Sequence, residues 1–441
     1  SDGRVEDVTH WAKYTSTNES VARIDDHGRV SIMGHGEGAV TAWFSQKIVI
    51  ARFSSPHEYK IPAEVFAEAP QRSFIDQLVL KQLQRLNLRP SPPASDTEFL
   101  RRVFVDTIGT LPTAEEVTSF LNDQDVSKRD KLIDDLLSRP EFVDYWTYKW
   151  SDVLLINGQR LRPAAVKAYY TWLRGKVKEN TPWDQLVREV VTSTGSSHKN
   201  GATNFFALHQ DPEGMSENVA QAFLGLSIGC AKCHNHPYET ITQEDYYSLA
   251  AYFARVGRKG TGISPPISGS EEIVLIADKG EVKHPITGQV LDPRPLFGQT
   301  PELSSGEDPR QALARWMTSD DNLFFSQVIA NRIWAELMGR GLVEPVDDLR
   351  ITNPPSNGPL LKELAAELRR EKYNLKKLIR AITLSHVYGL SSLPGERNVA
   401  DDAEANRSLI KHDNQLTRRS RGDVRVLVGV LPVAHVLLLR T

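Results

Sequence analysis

The chain of 441 residues holds two cysteines only, Cys230 and Cys233. No disulfide framework can staple such a fold, so a chain of this length must be held together by buried apolar faces. At roughly 100 to 200 residues per domain, it has room for about two to four domains. Charged residues make up 25% and hydrophobic residues 40%, which excludes a wholly disordered or collagen-like chain. The 53 Lys and Arg are offset by 56 Asp and Glu, leaving a net charge of -3. Without a global basic field, nucleic acid is not an expected partner. No uninterrupted apolar run reaches the 18 or so residues that a spanning helix needs, so no transmembrane segment is expected. The opening Ser-Asp-Gly-Arg-Val-Glu-Asp is polar and acidic, with neither an initiator Met nor a leader pattern. It reads as a cut edge, with localisation signals upstream.

From Trp11 to about Phe53 the pattern is short and strand-like: Val21-Ala22-Arg23-Ile24, Val30-Ser31-Ile32-Met33 and Ala39-Val40-Thr41-Ala42-Trp43 are separated by Asp/Gly turns. This predicts an antiparallel β meander. Gly34-His35-Gly36-Glu37-Gly38 opens a strand and is read as a turn, not a phosphate loop. A Pro- and Glu-containing linker follows at about 56–70, and the period then becomes helical. Ile75, Leu78, Val79, Leu83 and Leu86 recur at three and four residues. Start signals follow at Thr113 with Glu116, at Ser127 and at Thr181-Pro182. The aromatics Tyr145, Trp146, Tyr148, Trp150, Tyr169, Tyr170, Trp172 and Trp183 are read as helix packing. Residues 259–306 lose the helical period and predict an inter-domain segment with one strand candidate at Ile273–Ile276. A second helical block, 307–416, contains helices at about Phe324–Met338, stopped by Gly339, and at about Leu360–Arg370. After about Arg418 the composition changes abruptly. Residues 417–441 are an atypical tail, either a frame artefact, a truncated end or a buried strand. The predicted fold class is mainly α, two helical domains behind an N-terminal β-sandwich fragment.

Chemistry is concentrated in Cys230-Ala231-Lys232-Cys233-His234. Two thiols three residues apart can take the two vinyl groups of one porphyrin, and the next imidazole then reaches the iron from the proximal side. A random arrangement gives this trio on the order of once in ten thousand. The segment 219–229 reads as a helix ending at Gly229, and Thr242 with Asp245 as the cap of the next. Phe223, Tyr238, Tyr246 and Tyr247 would either cover a haem or belong to plain core. Three uses of the cysteines stay open: one covalent haem c with His234 proximal, a zinc site completed from elsewhere, or a Cys-x-x-Cys disulfide. His209 and Met215 are candidates for a second axial ligand, while His236 lies too close to His234 in sequence to reach the opposite face. Asp347-Asp348 reads as a solvated turn in preference to a ligand pair. Hydrolase, zinc-protease and nucleotide-binding motifs are absent, so no enzymatic activity is assigned.

The strand order of residues 1–56, with its Val-Ala-x-Ile-Asp strand and its Gly-x-Gly-x-Ala-x-Val-Thr-Ala run, resembles the second half of a bacterial immunoglobulin-like (group 2) domain. Phe74-Ile75-Asp76, Leu88–Pro92, Gly109–Val117 and the block around the cysteines, Asn218 to Tyr247, resemble the cytochrome-c-like domain of unknown function of planctomycete multidomain proteins. They place that domain at 70–258. Asn331-Arg332-Ile333-Trp334, Gly339–Asp348 and Thr352–Ser356 resemble the planctomycete-specific C-terminal domain, at 307–416. The resemblance implies export to the periplasm or cell surface, in keeping with haem c assembly outside the cytoplasm, but no assigned reaction; from the Cys-x-x-Cys-His motif the leading expectation is one haem c that moves electrons, with redox proteins or extracellular ligands as partners. The alternative is a cell-surface binding or structural protein whose cysteine site holds zinc or a disulfide, and a haem- or metal-dependent enzyme stands behind both.

Overall fold

In the computed structural model, the described residues are 6–392 apart from 46, 210, 261–270 and 305. The predicted tail at 417–441 lies outside them. The N-terminal region is rich in strands: β1 (Lys13–Ser16), β2 (Ala22–Ile24), β3 (Val30–Ile32), β4 (Gly36–Phe44) and β5 (Lys47–Ser55). They form a three-stranded antiparallel sheet in the order β1-β4-β5 and a separate β2-β3 hairpin. Gly36 opens β4, so the glycine-rich stretch does enter a strand as its sequence suggests.

Helices follow: among the described residues there are fifteen α-helices, and with the short 3-10 and π turns 46% of those residues are helical. A four-residue turn, α1 (Glu64–Ala67), leads to α2 (Phe74–Leu86). Ser73 and Asp76 close a capping box at the start of α2, and Ile75, Val79, Leu83 and Leu86 bury the predicted stripe. Next come α3 (Asp96–Ile108), α4 (Ala114–Asn122), α5 (Lys128–Ser138), α6 (Pro140–Val153), α7 (Pro163–Lys178) and α8 (Trp183–Thr192). Thr113 and Glu116 form the predicted capping box of α4. Ser127 gives α5 no side-chain cap; Asp125 instead accepts from the Ser127 amide. The aromatic cluster is mostly core. Trp146, Trp150, Tyr169 and Trp183 are buried, whereas Tyr148 stays exposed.

After β6 (Gly195–Ser196) come α9 (Asn204–Ala207), α10 (Pro212–Val219) and α11 (Gln243–Ala250). The predicted inter-domain segment is tied back onto this part. β7 (Val256–Gly260), β8 (Glu272–Ile276) and β6 make a sheet ordered β6-β8-β7, with the strand candidate at its centre. A small hairpin, β9 (Val282–Lys283) with β10 (Val290–Leu291), packs Val282 and Leu291 into the core. The second helical block comprises α12 (Pro309–Met317), α13 (Leu323–Met338), α14 (Gly358–Arg370) and α15 (Leu375–Thr383). Gly339, at φ 79°, stops α13 as predicted.

The two helical blocks share one continuous hydrophobic core. The end of the second block closes onto the start of the first. Buried Arg102 donates to the carbonyls of Tyr388 (2.6 Å) and Leu390 (2.7 Å), and Asp76, which caps α2, also accepts from the Val387 amide at 3.0 Å. A charged donor with two buried acceptors is well satisfied, so this clasp ties together residues nearly 300 positions apart in the chain.

Candidate functional site

The helix leading to the cysteines ends sooner than its sequence suggests. α10 passes into a single π-helical turn, Ala220–Leu224, and stops at Gly225, not at Gly229. The extra residue per turn leaves carbonyls without regular helical partners. Gly225 takes the left-handed conformation, φ 66°, and a Cβ there would sit 2.6 Å from Leu349 Cδ1 and 2.9 Å from Val328 Cγ2. Only glycine fits both the turn and the close packing.

Cys230 then lies on a short 3-10 turn, Gly229–Lys232, with Cys233 capping its end, and both thiols are free and exposed. The backbone of this turn is anchored from α11. The Lys232 carbonyl accepts from Gln243 Nε2 at 2.8 Å and from the Tyr247 hydroxyl at 3.2 Å. Asn235 Oδ1 accepts from the Gln243 amide at 3.0 Å. Thr242 and Asp245 form the predicted capping box of α11, which fixes that helix start in turn. Glu217 lies behind the turn and accepts from the buried Tyr246 hydroxyl at 2.6 Å. Burial, with Glu217 adding, holds the Tyr246 phenol far above its ordinary range. Burial also raises the Tyr247 phenol, helped by Glu213, Cys233 and Glu217.

The two histidines of the loop have opposite roles. His234 is exposed, and its Nδ1 lies 2.8 Å from the Asn235 carbonyl, which can only accept. Nδ1 therefore carries the proton, and the Nε2 lone pair has no partner among the described residues. His236 is 7% exposed. Its Nδ1 accepts from the Tyr238 amide at 3.1 Å, so Nε2 donates to the Ser227 carbonyl at 3.1 Å. Both nitrogens are committed to holding the loop, and burial pushes the His236 pKa down. A cleft of about 280 Å³ opens beside His234 and is walled by Trp43 and Ile48 of the strand region. Tyr238 is half-exposed, while Phe223, Tyr246 and Tyr247 are core.

The other candidate ligands sit elsewhere. Met215 is 2% exposed, inside the core and away from the surface on which the thiols lie. His209 is half-buried with Nε2 2.7 Å from Asn218 Nδ2; burial, then Arg160, lowers its pKa. Among the described residues no three His, Cys, Asp or Glu side chains converge to hold a metal ion, and no helix is long and apolar enough to cross a membrane.

What the sequence reading missed is the support from the second helical block. Arg332, 8% exposed, donates to the carbonyls of Ala222 (2.5 Å) and Gln221 (3.3 Å), the π-turn ahead of the cysteines. Burial pushes its guanidinium down to about 10, and Asp347 at 3.6 Å opposes that. Its neighbour Asn331 organises the following loop, bonding Val343 and Val346. Asp347-Asp348 is thus part of a contact instead of a plain solvated turn. Asp348 grips Arg350 at 2.5 Å and 2.6 Å, Arg350 lies over the Tyr238 ring, and the Ile351 amide donates to Glu239 at 2.6 Å. The legible signal was a buried-looking Arg inside the apolar run Val328–Trp334, which demands an acceptor.

These elements define a class: a helical chain in which one block presents a Cys-x-x-Cys-His turn and a second block buttresses it. Residues 74–258 match the family model PSCyt2, described as a protein of unknown function (DUF1549), and residues 309–421 match PSD1, a protein of unknown function (DUF1553). The chain carries these two planctomycete-associated domains of unknown function. No curated protein and no solved structure matches it.

Proposed function

We propose that the protein is an exported c-type haem protein that transfers electrons, with one haem bound covalently through Cys230 and Cys233 and His234 as proximal ligand. The observation that carries this reading is the His234 tautomer. A carbonyl holds the Nδ1 proton and leaves Nε2 outward as a donor, the second-sphere arrangement that fixes a metal-binding imidazole. The donor set fits the group: two free, exposed thiols on one anchored turn, adjacent to that imidazole. When bound, the haem supplies the one-electron couple. The chain's own residues hold the turn. Gln243 and Tyr247 fix the Lys232 carbonyl, His236 locks the loop behind it, and Arg332 secures the turn in front. Zinc is less well served, since no further ligands converge on the thiols among the described residues. His209 and Met215 remain second-ligand candidates, each of which would have to leave its present surroundings.

We read the N-terminal strands as part of an immunoglobulin-like module that docks or adheres, supported by the order of β2 to β4 and their Asp/Gly turns. Export to the periplasm or cell surface goes with haem c assembly outside the cytoplasm. The test is a potentiometric titration of protein matured alongside a cytochrome c assembly system. A single one-electron couple with a haem spectrum, altered in His234→Ala, is expected; protein without a visible chromophore overturns the reading.

A further inference from the structure

One end of the strand region stands against the cysteine-bearing loop. β4 and β5 pair antiparallel with Trp43 directly opposite Ile48, so the two side chains lie side by side on one face of the hairpin. That face looks onto the helical body. The Trp43 ring lies 6.3 Å from the Tyr238 ring, centroid to centroid, and Trp43 and Ile48 wall the cleft of about 280 Å³ that His234 also lines. The Trp43 indole is held in place by its Nε1, which donates to the Ser45 carbonyl at 2.6 Å. Val49, next to Ile48 on the strand, points to the opposite face and is 67% exposed.

The other wall of the cleft is the loop 234–242, most of whose polar groups are already committed. The Asn235 side chain accepts from the Gln243 amide, His236 uses both ring nitrogens, Glu239 accepts from the Ile351 amide and Thr242 caps α11. Opposite the Trp43 and Ile48 pair stand Pro237 and Ile241. The one ring nitrogen of this loop without a partner among the described residues is His234 Nε2. Apolar walls with a single nitrogen donor do not suit a sugar or a peptide, which need several hydrogen bonds; they suit a flat, apolar group that carries a metal. Neither cysteine lines the cleft, so a group held by both thiols and by His234 enters it only in part.

Given the haem reading above, on which this rests, we infer that the β4–β5 hairpin is a wall of the haem site, with Trp43 and Ile48 keeping water from the part of the haem beside His234. The strand region then has a second task besides docking, that of setting how dry the iron is. Water favours the more highly charged ferric state, so opening the wall lowers the reduction potential.

The test uses the full chain matured with a haem c assembly system, as the parent and as Trp43→Ala, Trp43→Phe, Ile48→Ala and Val49→Ala. Intact mass reads haem attachment; potentiometric titration and Soret circular dichroism read the wall. Every variant should gain one haem per chain, because the thiols do the holding. Trp43→Ala and Ile48→Ala should both lower the midpoint potential, and Trp43→Ala should also lose the part of the Soret dichroism that a neighbouring indole induces. Trp43→Phe should recover most of the potential, and Val49→Ala should match the parent. A haem-loaded Trp43→Ala with the parent's potential and Soret dichroism, or an equal shift in Val49→Ala, overturns the inference while haem attachment stands. A parent chain that gains no haem mass overturns the haem reading itself, and the inference with it.

Discussion

Replacing Arg332 by Met tests whether the second helical block holds the cysteine turn. The substitution keeps most of the unbranched volume and removes only the donors. Two carbonyls of the π-turn, those of Gln221 and Ala222, then lose charged partners now at 3.3 Å and 2.5 Å. Hydrogen bonds to charged groups contribute about 1.5 to 3 kcal/mol each. Against that stands the cost of keeping a guanidinium dry, visible in the lowering of its pKa to about 10. The ion pair adds little, because Asp347 is 34% exposed and 3.6 Å away, a setting in which such pairs contribute under ~1 kcal/mol. The balance is a loss of about 2 to 4 kcal/mol, measured by urea unfolding, with amide exchange quickening most at residues 220–232. Asp347→Ala alone should cost under ~1 kcal/mol. If Arg332→Met costs no more than Asp347→Ala, or leaves exchange at 220–232 unchanged, the buttress argument fails.

Three further outcomes follow from the same geometry. Gly225→Ala, strained at φ 66° and in contact with Leu349 and Val328, should destabilise by about 3 kcal/mol in urea unfolding. Glu239 is held above the usual carboxylate range, first by burial. Its raised pKa costs stability as pH climbs from the unfolded value through the folded one, so Glu239→Gln, which keeps an acceptor for the Ile351 amide, should raise the melting temperature at pH 7 more than at pH 4. His236 and His209 are both lowered from 6.5, mainly by burial. Their contribution is complete above that value and is lost as pH falls through the folded pKa, so limited proteolysis of residues 227–241 should accelerate between pH 7 and 5, and His236→Gln should flatten that dependence while His209→Gln does not.

Local signals were legible wherever local chemistry decided the outcome. The Thr113 and Thr242 capping boxes, the stripe of α2 and the stop at Gly339 each need only neighbours within one or two turns. The Cys-x-x-Cys-His trio is equally local, and one turn of 3-10 helix presents it. Non-local contacts were not legible. The end of the motif helix moved from Gly229 to Gly225 because a π-turn is stabilised by Arg332, over a hundred residues away in sequence. The segment 259–306 read as a linker because the partner of β8 on one side, Gly195–Ser196, is a pair of small residues with no strand signature. The Asp347-Asp348 turn is charged, but its contact role depends on the buried Arg332 and on Arg350 over Tyr238. The candidate second ligands were chosen by nearness in sequence, which does not reveal that Met215 points into the core.

Intact-mass spectrometry of the chain, matured with a haem c assembly system and then denatured, tests the central claim most directly. A gain equal to one haem per chain is expected, absent from the Cys230→Ala, Cys233→Ala double variant. An unmodified mass, or one short by two hydrogens because the thiols have joined each other, contradicts covalent haem attachment.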